Sequence, residues 1–261
     1  TWCRRIGTCT ALDVVQILLA AKADALARDD NNMTALHYAA ESGHDAVIQL
    51  LVTAKAPVDI SGSRRRTSLH VAARSGRSTA ARVLIACSAD VNAVDDALDA
   101  PLHYAARNNG DEVIAALLAG KAAVDAVNRA GESALHAAAG AGHCAAVQAL
   151  IQNKATVNIV NQWNETPLHN AAYLGYINVL QVLLDAKVAA SIDRQDKSKK
   201  TALHYAAQRG HLPVVQALVA ARAAVNICDD TNKTPLHFAS ANPHVDIVRA
   251  LLQPNKRSEG E

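Results

Sequence analysis

The stretch TALHYAA occurs twice in this chain of 261 residues, at 34–40 and again at 201–207. Five related stretches share its leucine-histidine step, namely TSLHVAA, APLHYAA, SALHAAA, TPLHNAA and TPLHFAS. Successive histidines of this step are 33 residues apart, except for one gap of 35 residues. A fixed period over seven copies indicates a chain built from repeated structural units. The histidines are His37, His70, His103, His136, His169, His204 and His237.

Each copy combines a polar turn with two predicted helices. A polar stretch such as 29–32 comes first, and Thr or Ser then begins a helix whose free N–H groups it can cap. Pro167 and Pro235 fall in the first turn of that helix, where a missing N–H costs nothing. A glycine such as Gly43 follows, and apolar residues at helical spacing, as in 47–51, predict the second helix.

This pattern resembles the ankyrin repeat, in which a β-turn precedes two antiparallel helices in 33 residues. The resemblance implies an all-α fold with short β-hairpin turns, arranged as an ankyrin-repeat solenoid of stacked helix-turn-helix units. It predicts a single array over 1–253, followed by a polar C-terminal tail over 254–261. The predicted boundaries are a partial repeat at 1–27 and repeats at about 28–60, 61–93, 94–126, 127–159, 160–194, 195–227 and 228–253.

Composition narrows the function classes only modestly. A formal charge of +2 argues neither for nor against a nucleic-acid partner. The five cysteines include no C-x-x-C pair, which indicates neither a zinc ribbon nor a disulfide framework. Free thiols favour an intracellular, reducing compartment, the cytoplasm or the nucleus. We see no apolar run of transmembrane length and no signal peptide.

The regular histidines could serve chemistry or structure. All eleven histidines of the chain fall on repeat positions, and one active site would not need so many equivalent copies. Equivalent histidines of neighbouring units would lie roughly 10 Å apart, too far to share one metal ion. No motif of a catalytic, cofactor-binding or metal site is present. We therefore expect no enzyme activity and no cofactor, and we expect each imidazole to join its own turn to the next repeat.

Binding specificity must lie where the repeats differ. The resemblance implies that partners contact the tips of the turns, called fingers below, and exposed positions on the first helices. The sixth repeat offers Trp163 in its finger and Tyr173 and Leu174 on its first helix, in a chain with only 3% aromatic residues. These residue types are common at interface hot spots, although Trp163 could instead pack on a neighbouring hairpin. The predicted contact also includes four cations of the seventh repeat, Lys197, Lys199, Lys200 and Arg209.

A basic finger in the third repeat is a second predicted contact, suited to a protein with an acidic surface. It consists of Arg64, Arg65, Arg66 and Arg74. The alternative is that these charges merely solvate a loop and protect a hairpin edge. The position two residues before the conserved Thr favours a left-handed backbone, and Arg65 and Lys199 occupy it where Gly or Asn is expected. We interpret this departure as charge that is kept because a partner uses it.

A cation also follows most second helices. Such a charge interacts favourably with the helix C-terminus, which can explain it without any ligand. The alternative is a periodic stripe that binds a polyanion, either nucleic acid or an anionic membrane, with a steep dependence on salt. The residues concerned are Lys22, Lys55, Lys121, Lys154, Lys187 and Arg222.

The sequence therefore predicts a non-catalytic protein–protein interaction scaffold or adaptor. Two alternatives stay open, an ankyrin segment that targets a larger enzyme or channel, and a structural subunit of a large assembly. At the front of the array, Trp2, Cys3 and Ile6 would lie near an open stacking surface. We expect upstream repeats or a partner to cover that surface.

Overall fold

A computed structural model describes residues 10–186, 192–241 and 244–252. Within these ranges the chain is helical, with short helices joined by turns. The helices are α1 (Ala11–Ala20), α2 (Ala35–Ser42), α3 (Asp45–Thr53), α4 (Ser68–Arg74), α5 (Ser78–Ala86), α6 (Pro101–Arg107), α7 (Asp111–Ala119), α8 (Ala134–Ala141), α9 (Cys144–Gln152), α10 (Pro167–Leu174), α11 (Ile177–Asp185), α12 (Ala202–Arg209), α13 (Leu212–Ala220), α14 (Pro235–Ala241) and α15 (Val245–Leu252). The fold is all-α, as the repeat predicts.

The chain forms two compact units, Thr1–Arg129 and Ala130–Glu261. In the first unit, α2, α4 and α6 pack side by side in chain order, and so do α1, α3, α5 and α7. In the second unit, α8, α10, α12 and α14 form one such row, and α9, α11, α13 and α15 form the other. The prediction of one continuous array over 1–253, with the repeat boundaries given above, stays a prediction.

Packing between neighbouring helices stabilises these elements, because helices this short are marginal in isolation. The conserved leucine of each first helix is buried, as at Leu36 and Leu203, and alanines such as Ala206 and Ala207 are fully covered. Small side chains at these positions allow the helices of a row to approach closely. The repeated Leu-His-x-Ala-Ala motif is therefore the packing seam of each row.

Side chains close the fingers. Asp95 shows the arrangement, since its Oδ1 accepts hydrogen bonds from the backbone amides of Ala97 (2.8 Å) and Asp99 (3.0 Å). Such an Asx turn fixes the finger without a β-ladder. The equivalent side chains are Asp29, Asn161, Asp196 and Asp229.

The position two residues before the conserved Thr or Ser has a left-handed backbone, as predicted. Asn32 has a φ of 61°, and the bulkier Arg65 and Lys199 each have a φ of 56°. The two cations therefore keep the turn that glycine or asparagine would adopt more easily. Arg64, with a φ of 55°, adds a second strained residue to its finger.

Helix α1 is the most exposed of the apolar helices. It buries no residue, and Ile17 and Leu18 are 48% and 50% exposed. Trp2, Cys3 and Ile6, like the tail over 254–261, lie outside the described residues. The prediction that upstream repeats or a partner covers this end stays a prediction.

Candidate functional site

The conserved histidines act as joints between repeats. The Thr201 amide donates to Nδ1 of His204 (3.0 Å), which places the ring proton on Nε2. Nε2 then donates to the Lys233 carbonyl of the next repeat (3.1 Å). Burial lowers the pKa of His204, because the charged form would lose its hydration.

Four further histidines make the same two contacts within their own unit. His70 accepts from the Thr67 amide (3.1 Å) and donates to the Asp99 carbonyl (3.0 Å). In these five histidines both ring nitrogens contact backbone groups, one in the histidine's own turn and one in the next repeat, so the predicted joint is confirmed for them. The remaining joints are those of His37, His136 and His169.

Aromatic rings and cations alternate along the first helices of the second unit. Tyr173 and Tyr205 meet edge to face, with ring centroids 5.5 Å apart. The guanidinium carbon of Arg209 lies 4.0 Å from the centroid of the Tyr173 ring, within the range of a cation–π contact. Tyr173 is 38% exposed and its neighbour Leu174 is 43% exposed. The structure thus brings together three of the residues that the sequence selected.

A second set of cation–π contacts continues this row. Nζ of Lys200 lies 5.5 Å from the Tyr205 ring centroid and 5.0 Å from that of Phe238. Nζ of Lys233 lies 5.9 Å from the same Phe238 ring. In the described part of the chain, no carboxylate lies within ion-pair distance of these lysines or of Arg209.

The neighbouring fingers of the sixth and seventh repeats carry Trp163 and Lys197. The Lys197 amide donates to the Trp163 carbonyl (2.9 Å), which joins the two tips, and Trp163 is 47% exposed. Nearly half of the indole surface is thus open to contact. Lys197 and Lys199 are exposed, whereas Lys200 is half-buried.

A cavity of about 330 Å³ opens beside Tyr173 in the second unit. It lies among α8, α10 and α12, so three successive repeats contribute to it. The residues that line it include two tyrosines, a glutamate and a glycine. Its lining consists of Gly140, Glu165, His169, Asn170, Tyr173, Leu174 and Tyr205.

The basic finger of the first unit lies in mixed surroundings. Asp96 donates its amide to the Arg64 carbonyl (3.0 Å), so an acidic finger adjoins the basic one. Arg74 forms an ion pair with Glu41 (3.1 Å), and its charge is therefore already compensated. Arg64 and Arg65 are exposed, whereas Arg66 is half-buried. The predicted second contact therefore has carboxylates beside its cations.

The described ranges hold no cluster of three histidine, cysteine, aspartate or glutamate side chains arranged to bind a metal ion. None of the helices in these ranges combines the length and apolar character that a membrane crossing requires. Cys87 and Cys144 are half-buried and Cys228 is exposed, and all three are free thiols.

Comparison with known proteins decides the family. A family model described as ankyrin repeats (3 copies) matches residues 7–95, 102–196 and 188–259. The chain belongs to the ankyrin repeat family. A search of curated proteins gave no match.

Solved ankyrin structures show the same fold. The crystal structure of the ankyrin repeat domain of Bcl-3, titled a unique member of the IkappaB protein family, matches with a TM-score of 0.72 and 28% sequence identity. The match covers 84% of this chain and 100% of that domain. Ankyrin repeats are generally protein–protein interaction modules.

The sequence did not indicate every residue of this surface. Tyr205 and Phe238 occupy the variable position after the leucine-histidine step, and that step was interpreted only as a joint. Lys233 and Gly140 were likewise not selected. Comparing this variable position across the seven copies would have found the two rings, because it carries an aromatic residue in four of them, at Tyr38, Tyr104, Tyr205 and Phe238.

Proposed function

We propose that this ankyrin repeat chain is a non-catalytic scaffold that binds an acidic segment of a partner protein. The contact is the row surface, defined as the exposed and half-buried residues of the second unit around the rings and cations. The observation that carries the proposal is the set of cations that lie on aromatic rings and have no carboxylate partner among the described residues. The row surface comprises Trp163, Tyr173, Leu174, Lys197, Lys199, Lys200, Arg209 and Lys233.

Preorganisation explains how such a surface would bind. A lysine or arginine that already lies on a ring loses little rotamer freedom when a partner's carboxylate pairs with it. The complementary charge also accelerates encounter and discriminates against basic partners. The exposed rings of Trp163 and Tyr173 supply the apolar area that charged groups alone lack.

The basic finger of Arg64, Arg65, Arg66 and Arg74 is proposed as a weaker second contact for the same class of partner. Arg64 and Arg65 support this, because both accept a left-handed backbone while staying exposed. Ankyrin segments of a larger enzyme or channel, and structural subunits of assemblies, could use the same surfaces. A reducing intracellular compartment fits the three free thiols.

The cations that follow the second helices support a polyanion less well than a structural role. Lys55, Lys121 and Lys154 all have left-handed backbones just after a helix, with φ of 67–68°. That position ends helices, and a cation there interacts with the C-terminal carbonyls. Nucleic acid or an anionic membrane is therefore the second candidate class of partner. Steeply salt-dependent binding of RNA or anionic vesicles would favour it.

Affinity purification with mass spectrometry tests the proposed function. The bait is the whole chain, compared with a Trp163→Ala, Tyr173→Ala double variant. A double variant of the exposed cations Arg82→Ala and Arg249→Ala, on second helices, is the matched control. We expect a specific set of proteins that the first variant loses, that the control keeps, and that moderate salt releases. The proposal fails if a correctly folded Trp163, Tyr173 variant recovers the same proteins as the wild type.

A further inference from the structure

The cavity beside Tyr173 exists because one first helix lacks a side chain. Gly140 lies on the exposed side of α8, at the position that carries Tyr173 in the next repeat. Gly140 lines the cavity, so the missing side chain leaves space on the α8 side of it. Other repeats fill the same position with Glu41, Arg74, Arg107 and Gln208.

The backbone does not require this glycine. A Cβ built on Gly140 would meet Nδ2 of Asn170 at 3.6 Å, an ordinary van der Waals contact, and nothing nearer. Gly140 lies within a regular helix and has no positive φ. Glycine is unfavourable inside a helix, so any other small residue would serve the helix better. The effect of the glycine is to leave room in the cavity that a larger side chain would fill.

The charges around the cavity restrict what can enter it. Arg209 and Lys200 lie on the rings of Tyr173 and Tyr205, so positive charge beside the cavity opposes the attraction that Glu165 would exert on a cation. Glu165 lines the cavity and would repel a carboxylate. A neutral side chain is compatible with charges of both signs.

Glu165 also supplies a carboxylate that can accept further hydrogen bonds. Its Oε2 accepts a hydrogen bond from Nδ2 of Asn161 (2.9 Å), and within the described residues no cation pairs with it. Two tyrosine rings and Leu174 form the apolar part of the lining. Such a lining fits a side chain with an aromatic body and a hydrogen-bond donor at its tip.

We propose that the cavity receives a tyrosine or tryptophan side chain of the partner, whose O–H or N–H donates to the Glu165 carboxylate. This inference rests on the proposed function, because the flanking acidic residues of the same segment would pair with Arg209 and Lys200. The aromatic residue is the anchor and the acidic residues give orientation. Neither alone specifies the register of the bound segment.

Synthetic peptides test the anchor without knowledge of the natural partner. The probes are fluorescein-labelled nonapeptides in which a central residue X is flanked by glutamates, with X as Tyr, Phe, Ala or Lys. Fluorescence anisotropy at low salt measures their binding to the whole chain. We expect the Tyr peptide to bind about tenfold more tightly than the Ala peptide, and about threefold more tightly than the Phe peptide.

Two variants at one position complete the test. Gly140→Leu fills the cavity and should make the Tyr and Ala peptides bind equally, whereas Gly140→Ala leaves most of the space and should keep at least half of the tenfold difference. Binding that ignores X, in the wild type, overturns the anchor while the acidic-partner proposal stands. A Lys peptide that binds most tightly also overturns it. If no glutamate peptide binds at all, the proposed function itself is wrong.

Discussion

The Tyr205 hydroxyl donates a hydrogen bond of 2.6 Å to Oδ2 of Asp196, nine residues earlier in the chain. The other oxygen of this carboxylate, Oδ1, accepts the backbone amides of Ser198 and Lys200, each at 2.8 Å. One carboxylate therefore joins helix α12 to the finger that carries the cations of the row surface. The same link recurs in the first unit between Tyr104 and Asp95 (2.7 Å).

Tyr205→Phe should loosen this finger, because it removes the donor and leaves the carboxylate oxygen of Asp196 poorly satisfied. Asp196 is only 7% exposed. A hydrogen bond to a charged group contributes about 1.5–3 kcal/mol, so we expect the free energy of unfolding to fall by about 1–2 kcal/mol. Urea unfolding measures the loss. Tyr173→Phe is the control, since no hydrogen bond of its hydroxyl is seen in the described residues, and an equal loss in both variants would refute the link.

Mild acid should destabilise the chain through its buried histidines. Burial lowers the pKa of His37, His70, His169 and His204 below the usual value near 6.5. The unfolded chain therefore binds more protons than the folded chain once the pH falls below about 6.5, and stability declines with falling pH. Each neutral histidine can cost up to about 1.4 kcal/mol per pH unit.

Urea unfolding between pH 7.5 and pH 5.5 tests this dependence. We expect the free energy of unfolding to be largest at pH 7.5 and to fall as the pH approaches 5.5. His204→Gln should show a shallower slope, since it removes one of the groups that take up a proton on unfolding. Parallel slopes for the variant and the wild type would contradict the assignment of His204.

Lys199 and Gly131 occupy equivalent finger positions, and we expect their substitution to change stability in opposite directions. Lys199 has a φ of 56°, where a side chain is strained, so Lys199→Gly should stabilise the chain by up to about 1 kcal/mol. Gly131 has a φ of 74°, and a Cβ there would approach the Gln162 amide nitrogen at 2.8 Å. Gly131→Ala should therefore destabilise by more than about 1 kcal/mol. Thermal unfolding of the two variants gives both signs, and a destabilising Lys199→Gly would show that the lysine makes a compensating contact.

A substitution at Arg65 separates the contribution of its charge to binding from the effect of its backbone conformation on stability. Arg65→Gly relieves a φ of 56° and should raise the unfolding temperature. If the finger binds an acidic partner, the same change should weaken binding about threefold or more, as loss of an exposed ion pair does. Isothermal titration with a purified partner measures this. A variant that is more stable and binds equally well would show that the charge is not kept for binding.

Repetition made the fold predictable, because each copy of Thr-x-Leu-His-x-Ala-Ala reports the same helix start and the same joint. The contact of His204 with the next repeat follows from its position in that pattern. The hydrogen bond of Tyr205 to Asp196 could not be predicted in the same way, because the repeated motif does not show which residue the tyrosine hydroxyl contacts. This bond depends on how the finger folds back onto the helix, and sequence spacing does not give that geometry.

The cavity was not predicted for a different physical reason. It results from an absent side chain at Gly140 together with rings supplied by the next two repeats. A motif search finds residues that are present, whereas a space between helices depends on packing across several units. Trp163 and Tyr173 were found because aromatic residues are rare in this chain, and their role in binding stays a proposal.

Gly140 and Gly142, two residues apart, should respond oppositely to the same substitution. Gly140→Ala adds a methyl group with room to spare inside a helix, and should raise the free energy of unfolding by about 0.5–1 kcal/mol. Gly142 ends the helix with a φ of 77°, and a Cβ there would meet the Tyr176 ring at 3.0 Å. Gly142→Ala should therefore lower stability by about 1 kcal/mol or more. Urea unfolding measures both changes in the free energy of unfolding. A destabilising Gly140→Ala would mean that the fold itself requires glycine at this position.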